Sequence, residues 1–361
     1  MSPPHKRSAS DGAGGLLQSL DSATLAVRSR TQLEAALRKH GKEVQVAVAA
    51  GARTCFVQFF AVPKVPYDLL SCGETSQPLS HLIQDFTQLN SGTISYNTSD
   101  PTTILGTGQF KHCFLGKITL ENPPWPDTAT RSLQVALKRP FTTHSTNPNG
   151  TARFPPAVEL NNIITEASVS QWGATLLDEV YSFINTVQQA SQETDEHPPV
   201  PLLRFVHIGI AKCIGPGQKT VQSLQGAFLV EEEIPRSYSF VRFLGNASAI
   251  PCEFPPDSAS NNIAQFCAFA QHVQWVITGG QIYCADWQGG IDPSTGNALL
   301  TDPQLITNPD LGMLFADGNV PETYSAFPKE HCCETNGFCM YFKPGAIILP
   351  EKDPKDLTEE T

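Results

Sequence analysis

Residues 282–304 read IYCADWQGGIDPSTGNALLTDPQ, and this stretch does most to predict the fold. The run IYCADWQ is typical of a β-strand, in which side chains alternate between two faces. Such a strand places Cys284, Asp286 and Gln288 on one face. A carboxylate and an amide side chain are therefore predicted to point in the same direction.

The rest of the stretch adds two glycines and a second carboxylate. Gly289 and Gly290 are predicted to end the strand and to allow another part of the backbone to approach closely. Asp302 precedes Pro303, and a proline favours an extended conformation in the residue before it. The second carboxylate is therefore expected on an extended segment.

Two carboxylates and an amide oxygen form an all-oxygen ligand set, which suits Mg²⁺ better than zinc or copper. Asp286, Gln288 and Asp302 therefore predict a centre that binds a metal and phosphate. The alternative is that both aspartates only cap turns, a common use of this residue.

The composition predicts a soluble globular protein with one large two-lobed domain. The chain has 361 residues, of which 40% are hydrophobic, so it can bury a sizeable core. A net charge of −11, without a basic cluster beyond residues 5–7, argues against a nucleic-acid partner or an anionic membrane surface. No apolar run approaches about 18 residues and the N-terminus lacks the core of a signal peptide, so we expect a cytoplasmic protein.

The ten cysteines are too dilute for a disulfide scaffold, and most are predicted to be reduced and buried. The exception is His331, Cys332, Cys333 and Cys339, which lie within nine residues. This composition is typical of a structural zinc site, and one more ligand from elsewhere would complete a Cys₂His₂ set. The alternative is a group of buried, inert thiols.

The ends of the chain are predicted to differ from its middle. Residues 1–20 read as a flexible tail, and residues 346–361 as a disordered acidic tail. Residues 21–92 contain a helix ending near His40, strands in VQVAVA and TCFVQFFAV, and a short helix near residues 79–89. This segment is either an accessory subdomain or a set of additional strands of the main lobe.

A nucleotide-binding pattern begins at residue 93. Strand TISYN, a turn with Gly106 and Gly108, and strand CFLGKITL lead to LQVALKRPF, which carries Lys138. The glycines allow backbone N–H groups to approach phosphate oxygens, and the lysine adds a positive charge. Each signal is weak alone, because a tight hairpin needs similar glycines and a strand-end lysine can extend into water.

The middle of the chain predicts a long helix, two strands and a hinge. Apolar residues over 160–187 recur at helical spacing, in one helix or two. Glu159 or Glu166 could pair with the lysine of VALK, and the alternative is an ordinary solvated glutamate. The strands LLRFVHIGIAK and GAFLVEEEI follow. The second ends in Glu231 and Glu232, whose backbone is expected to bind a nucleotide base at a hinge between two lobes.

The segment 260–278 is predicted to form an N-capped helix that ends at a glycine pair and leads into the opening stretch. It carries His272. A single histidine on an apolar helix is more often a core residue than a ligand, so its role depends on the cysteine-rich cluster.

In order, the motifs GTGQFK, VALK, LVEEEIP, DWQGG, LTDPQ, DGN and HxC…NxxC resemble the alpha-type protein kinases, an atypical family that includes the myosin heavy chain kinases and the elongation factor 2 kinase. The resemblance covers residues 93–345. It implies an α+β, two-lobed, protein-kinase-like fold, with a mainly β N-lobe and a mixed C-lobe that holds a structural zinc site. The implied activity is ATP-dependent phosphorylation of serine or threonine in a protein substrate.

The resemblance also implies residue roles. Asp286 takes the position of the catalytic aspartate and Lys138 that of the lysine that contacts the ATP phosphates. Gln288 and Asp302 take the positions of the magnesium ligands. The implied nucleotide-binding set is Gly106, Gly108, Lys111, Lys138, Glu231, Glu232, Gln288 and Asp302. The implied zinc ligands are His272, His331, Cys333 and Cys339.

Three positions depart from the family pattern. Lys111 stands where an arginine usually contacts phosphate, and a lysine cannot form a bidentate fork. Residues 317–322 replace a longer glycine motif associated with peptide substrates. Five residues instead of three separate Cys333 from Cys339, and Cys332 is a rival ligand. The second hypothesis is therefore a weak or inactive zinc-stapled scaffold that binds a protein partner, although the retained phosphate and metal residues argue against it.

Overall fold

The computed structural model describes residues 52–71, 79–82, 89–108, 110–144, 147–190, 197–216, 222–312, 314–315 and 320–347. Several predicted features lie outside these residues. They are the N-terminal tail, the helix ending near residue 40, strand VQVAVA, the motif at 317–319 and the C-terminal tail from residue 348.

Strands dominate the first part of the described chain. They are β1 (Ala52–Ala61), β2 (Asn90–Asn97), β3 (Ile104–Thr107), β4 (Lys111–Leu120), β5 (Ser132–His144), β6 (Asn147–Arg153), β7 (Leu203–Phe205), β8 (Ile208–Pro216) and β9 (Gln222–Glu232). All except β7 form an eight-stranded sheet in the order β3-β4-β2-β1-β8-β9-β5-β6. Because β4 also pairs with β5, the sheet closes on itself. β1, from the segment whose role the sequence left open, is an inner strand.

The core of this N-lobe follows from alternation along its strands. In β4, Phe114, Ile118 and Leu120 are buried, while Lys117 and Thr119 between them are exposed. The buried residues join one apolar cluster with residues of β1, β2, β5, β8 and β9. The period-two pattern therefore places the apolar half of each strand inside the closed sheet.

Helices α1 (Tyr67–Ser71) and α2 (Leu79–Leu82) precede the long helix α3 (Pro156–Ala190). α3 is a single helix of 35 residues, so the one-helix alternative is correct. Ile163 and Ala167, near its start, pack with the apolar side chains of β8 and β9. Leu176 and Val180, farther along, belong to a second core. α3 therefore takes part in the cores of both lobes.

The second core belongs to the C-lobe. Its elements and those around it are β10 (Ser239–Arg242), α4 (Ala259–Ile277), β11 (Ile282–Ala285), β12 (Gln288–Ile291), β13 (Ala298–Thr301), β14 (Gln304–Thr307), α5 (Pro321–Glu330) and α6 (Gly337–Phe342). Strands β10-β12-β13-β7 form one sheet and β11-β14 another. Ser258 caps α4 by accepting from the backbone N–H of Asn261, so the helix is N-capped as predicted, with its cap two residues before the predicted start. The predicted two-lobed α and β architecture is thus present.

The segment LLRFVHIGIAK, predicted as one strand, forms β7 and β8 in two different sheets. The two residues between these strands form backbone hydrogen bonds with different parts of the chain. The Val206 N–H donates to the Leu300 carbonyl at 2.9 Å, and the His207 carbonyl accepts from the Glu232 N–H at 2.8 Å. Tertiary pairing therefore interrupts a continuous apolar pattern.

The prediction of a single strand through IYCADWQ is wrong. β11 ends at Ala285, and Asp286 has a φ of 53° in the left-handed region. Asp302, predicted to be extended, also has a positive φ, of 56°. Aspartate adopts this region more readily than most residues, and here the tertiary structure outweighs the effect of the following proline.

The glycine pair does not end a strand either. Gly289 and Gly290 lie inside β12, which pairs with β10 and β13. The predicted close approach of backbone is confirmed, since a Cβ at Gly289 would collide with the Leu299 carbonyl. Gly289 thus allows β13, and the Asp302 that follows it, to lie close to β12, while Gly290 makes room for the side chains of Ile234 and Tyr238.

Candidate active site and metal centre

Lys138, on β5, has a buried ammonium group. It lies 2.8 Å from Glu231 Oε1 and donates to Thr301 Oγ1 at 2.9 Å. The Thr301 hydroxyl donates in turn to Glu231 Oε2 at 2.6 Å. Burial opposes the charge of Lys138, but the carboxylates of Asp302 and Glu231 outweigh it and raise its pKa. Lys138 is therefore a fixed cation, and the alternative of a lysine extended into water is excluded.

The predicted pairing of Lys138 with Glu159 or Glu166 is wrong. Glu166 pairs with Lys111, and Glu159 pairs with Arg139. Glu231, to which only a backbone role was assigned, supplies the partner of Lys138 with its side chain. The pairing of β5 with β9 explains this result, because it places Ala136 opposite Glu231 and hence Lys138 diagonal to it on one face.

Asp302 brings the two lobes into contact. Lys111 Nζ forms an ion pair with Asp302 Oδ1 and lies 2.5 Å from Glu166 Oε2, while Lys138 Nζ is 3.6 Å from the same Oδ1. Burial would raise the pKa of Asp302, but Lys138 and Lys111 lower it to about 2. Burial also opposes the charge of Lys111, and the carboxylates of Asp302 and Glu166 raise its pKa. The two lobes are thus in contact through the carboxylate of Asp302. The two lysines keep this carboxylate ionised.

Asp286 lies in the same region. The Asp286 Oδ1 is 2.9 Å from Arg242 Nη2, and its Oδ2 accepts from Gln288 Nε2 at 3.3 Å. Burial raises the pKa of Asp286, Arg242 lowers it, and Asp302 raises it further, with a net upward shift. A carboxylate with a raised pKa accepts a proton more readily than an ordinary one.

Sequence reasoning missed Arg242 and Thr301 as members of this site. Thr301 could have been predicted as a member of the site, because it immediately precedes the candidate ligand Asp302 in the LTDP motif at the end of β13. Arg242 stands on a short strand in the run SFVR, far from any motif, and nothing in the sequence marks it. Its contact with Asp286 depends on the pairing of β10 with β12.

The glycine turn is a β-hairpin between β3 and β4. The Gly108 N–H donates to the Lys111 carbonyl at 2.9 Å, so this N–H serves the hairpin. Gly106 lies at an irregularity in the pairing, and a Cβ there would contact nothing. Both glycines therefore have a structural explanation, and a phosphate role for them stays a prediction.

Glu232 points away from Lys138. Its carboxylate bonds both Arg204 nitrogens at 2.7 Å and accepts from the His207 N–H at 3.1 Å. Because the Glu232 N–H already donates to the His207 carbonyl, that N–H is not available to a nucleotide base. Burial raises the pKa of Glu232, but these hydrogen bonds outweigh burial and lower it.

The lowered pKa of Glu232 predicts a pH dependence. Because its folded-state pKa lies below the ordinary value of about 4.3, its contribution to stability is complete above about pH 4.3 and is lost as the pH falls through the folded-state value. We expect Glu232→Gln to cost about 1 kcal/mol in urea denaturation at pH 7, and less at pH 3.5. The neighbouring Glu233→Gln serves as the control. A cost that grows on acidification would contradict the assignment.

A second cluster consists of His272, His331, Cys333 and Cys339. Their candidate ligand atoms all lie within 4.8 Å of one another. The His272 Nδ1 is 3.4 Å from the Cys333 sulfur and 3.5 Å from the Cys339 sulfur, which is 3.4 Å from His331 Nε2. Zn–N and Zn–S bonds of usual length give a tetrahedral edge of roughly 3.6 Å between nitrogen and sulfur. The four side chains therefore fit one zinc ion.

The surroundings of the cluster also suit a metal. The His272 Nε2 donates to the Gly345 carbonyl at 3.0 Å, which leaves Nδ1 as a ligand atom. Burial lowers the pKa of His331 to about 4, and nearby His272 contributes. Burial raises the pKa of the Cys339 thiol, and nearby Cys333 raises it further, so a metal would have to displace the thiol protons. Neutral imidazole is the metal-binding form of histidine.

Cys332, the rival ligand in the sequence, lies outside this cluster. It is exposed, and its thiol donates to the Glu330 carbonyl at 3.4 Å. Of the two adjacent cysteines, Cys333 and not Cys332 therefore lies beside the two histidines.

Among the described residues, no helix combines the length and the apolar character needed to cross a membrane.

A family model described as the Alpha-kinase family matches residues 106–339. No curated protein matches the chain. A solved alpha kinase from Entamoeba histolytica is 14% identical, with a TM-score of 0.48 over 83% of this chain and 96% of that chain. The alpha-kinase domain of myosin-II heavy chain kinase A in complex with adenosine is 13% identical, with a TM-score of 0.47 over 82% of this chain and 98% of that chain. An inactive form of that domain in complex with ATP has 12% identity and the same TM-score and coverage.

Proposed function

The chain belongs to the alpha-kinase family, and on this premise we propose that it is an ATP-dependent protein serine/threonine kinase assisted by Mg²⁺. The observation that supports the proposal is that Lys138 and Lys111 both form ion pairs with the carboxylate of Asp302. A partly buried network of this kind costs free energy to assemble, and a fold without phosphate chemistry has no need of it.

The lysines supply the contacts to phosphate. Lys138 is held in place by Glu231 and Thr301, so its charge is oriented before ATP binds. Lys111, the second cation, acts as a point charge rather than as the bidentate fork of an arginine. Preorganised charges of this type stabilise the charge that develops on the transferred phosphoryl group.

Gln288 and Asp302 are the proposed magnesium ligands. The described ion pairs of Asp302 use Oδ1, which leaves Oδ2 to face a cation. The Gln288 amide nitrogen donates to Asp286, so its oxygen is the atom open to a metal. The donor set is all oxygen, which fits Mg²⁺. When bound, Mg²⁺ would neutralise negative charge on the ATP phosphates.

Asp286 is the proposed proton acceptor. Its ion pair with Arg242 fixes the carboxylate, and its raised pKa suits transfer of a proton from the hydroxyl of a substrate serine or threonine. Positioning of that hydroxyl supplies most of the remaining rate.

We extend the proposed kinase domain to residues 52–345, because β1 is an inner strand of the N-lobe sheet. The proposed location stays cytoplasmic, because ten cysteines in 361 residues are too dilute for a disulfide scaffold. The proposed partners are ATP and a protein substrate.

Lys138→Ala should weaken ATP binding by at least about tenfold, because it removes a charge-assisted contact of roughly 1.4 kcal/mol or more. Calorimetric titration with ATP measures the change. Exposed Lys117→Ala, on neighbouring β4, is the matched control and should bind ATP normally.

The same substitution leaves Glu231 buried without its cation, and this lowers stability as well. The double variant Lys138→Met, Glu231→Gln removes both charges, so it should recover thermal stability without recovering ATP binding. If the double variant binds ATP as tightly as the wild-type chain, Lys138 has only a structural role.

The proposed function is tested by incubating the full chain with radiolabelled ATP, Mg²⁺ and a generic basic protein. We expect labelled substrate, with phosphoserine or phosphothreonine after acid hydrolysis. A zinc-containing, folded chain that transfers no phosphate would instead support the inactive scaffold. Label on tyrosine alone would contradict the serine/threonine assignment.

A further inference from the structure

The N-lobe sheet carries a cavity of about 330 Å³ that shares no lining residue with the candidate active site. Cys55 of β1 and Cys213 of β8 both line it. The strands pair with Val57 opposite Cys213, so Cys55 lies diagonal to Cys213 on the same face.

The cavity is positively charged. Its lining includes Arg53, Arg139 and Arg153. Arg139 and Arg153 share the carboxylate of the fully buried Glu159, at 2.8 Å and 2.5 Å. Three positive charges therefore face one negative charge. The charged and titratable groups around the two sulfurs are Arg53, Tyr96, Arg139, Arg153 and Glu159.

The backbone keeps this arrangement in place. Gly226 of β9 lies opposite Cys213 and has a φ of 151°. A Cβ at Gly226 would collide with the Arg153 guanidinium and crowd the Glu159 carboxylate. Arg139 is fixed from another side, since its guanidinium lies 3.8 Å from the centre of the Phe228 ring. The glycine thus leaves room for the charges beside the thiols.

The two thiols differ in access and in ionisation. Cys55 is half-buried, whereas Cys213 is 3% exposed. Cys213 and the three arginines lower the pKa of Cys55 against the effect of burial, to about 7. Cys55 and burial raise the pKa of Cys213. Accessible thiolates next to cations are the reactive cysteines of proteins.

We propose that Cys55 is a modification site, a reactive thiol that hydroperoxides oxidise to sulfenic acid. The thiolate sulfur attacks one peroxide oxygen, so an S–O bond forms and the O–O bond breaks. The departing oxygen takes up a proton and leaves as an alcohol or water. The sulfur loses two electrons and the peroxide gains them, so the reaction needs no further reactant.

Cys213 favours the thiolate of Cys55 and is not its disulfide partner. Diagonal positions on paired strands have Cα atoms about 7–8 Å apart. Disulfides usually span about 4.4–6.8 Å between Cα atoms. A Cys55–Cys213 bond would therefore require β1 to shift along β8, and the sulfenic acid is the expected product.

The test treats the full, zinc-containing chain with hydrogen peroxide at pH 7, traps sulfenic acid with dimedone and maps the labelled peptides by mass spectrometry. We expect Cys55 to be labelled roughly tenfold faster than Cys252, which is also half-buried, since about half of a thiol with a pKa near 7 is thiolate at this pH. Equal rates in the folded chain would overturn the proposal. The readout is the thiol itself, so the result does not depend on kinase activity.

Two variants test the role of Cys213. Cys213→Ala removes the neighbouring thiol and should slow labelling of Cys55 several-fold, while Cys213→Ser retains a hydrogen-bonding group and should keep most of the rate. Thermal melting of each variant shows that the fold is intact. If a folded Cys213→Ala chain is labelled at the wild-type rate, or a Cys55–Cys213 disulfide is the main product, the assignment is wrong.

Discussion

Asp286→Asn is expected to lower phosphoryl transfer by about 10²–10⁴-fold, the usual contribution of a general base. The substitution removes the proton acceptor and keeps the shape of the side chain. Asparagine also tolerates the positive φ of 53° at this position, so the variant should fold normally. Steady-state assays with radiolabelled ATP measure the effect.

A measurement of ATP affinity distinguishes loss of the proton acceptor from disruption of the whole site. Because Asp286 is not a proposed phosphate ligand, Asp286→Asn should bind ATP with nearly the wild-type affinity. Exposed Asp257→Asn is the matched control for the substitution and should retain full activity. If Asp286→Asn turns over at the wild-type rate, Asp286 does not act as the base.

Loss of the metal cluster is expected to have the largest effect on stability. His272 lies on α4, while the remaining ligands precede α6 or lie within it, so a zinc ion would join the C-terminal segment to the helix that leads into β11. Binding energy at such a site is also folding energy, and it reaches roughly 10 kcal/mol in small zinc peptides. An existing core makes the contribution here smaller.

We predict one zinc ion per chain by elemental analysis. Cys339→Ala should lower stability by on the order of 3 kcal/mol or more, a decrease in Tm of about 6–12 °C for a domain of this size. The adjacent, exposed Cys332→Ala is the control and should change Tm little. A stable chain purified without zinc would refute the site, and equal losses from the two variants would make Cys332 a ligand.

The sequence predicted the parts of the site that are local in the chain. Lys138, Asp286 and Asp302 each lie in a short motif whose residue types indicate their chemistry. His331, Cys333 and Cys339 of the cluster are close in sequence and unusual in composition, whereas His272 was assigned only through the family resemblance. Such motifs can be recognised without knowledge of the fold, because they depend on residue type and spacing.

The contacts that the sequence did not predict are long-range or conformational. Glu231 meets Lys138 only because β5 and β9 pair in one register, and periodicity does not give the register. Arg242 reaches Asp286 through a similar pairing of β10 with β12. The left-handed conformations of Asp286 and Asp302 oppose the local preference for extended backbone, and tertiary structure decides them.

Helix α3 links the stability of the two lobes. At about 1.5 Å per residue its 35 residues span about 52 Å, and its two halves belong to different cores. If the N-lobe unfolded alone, the first half of α3 would lose its packing, and the exposed end would fray towards the C-lobe. Neither lobe is therefore an independent folding unit, and both should melt in one cooperative transition. Motion of one lobe relative to the other is then expected to bend α3 rather than to separate the lobes.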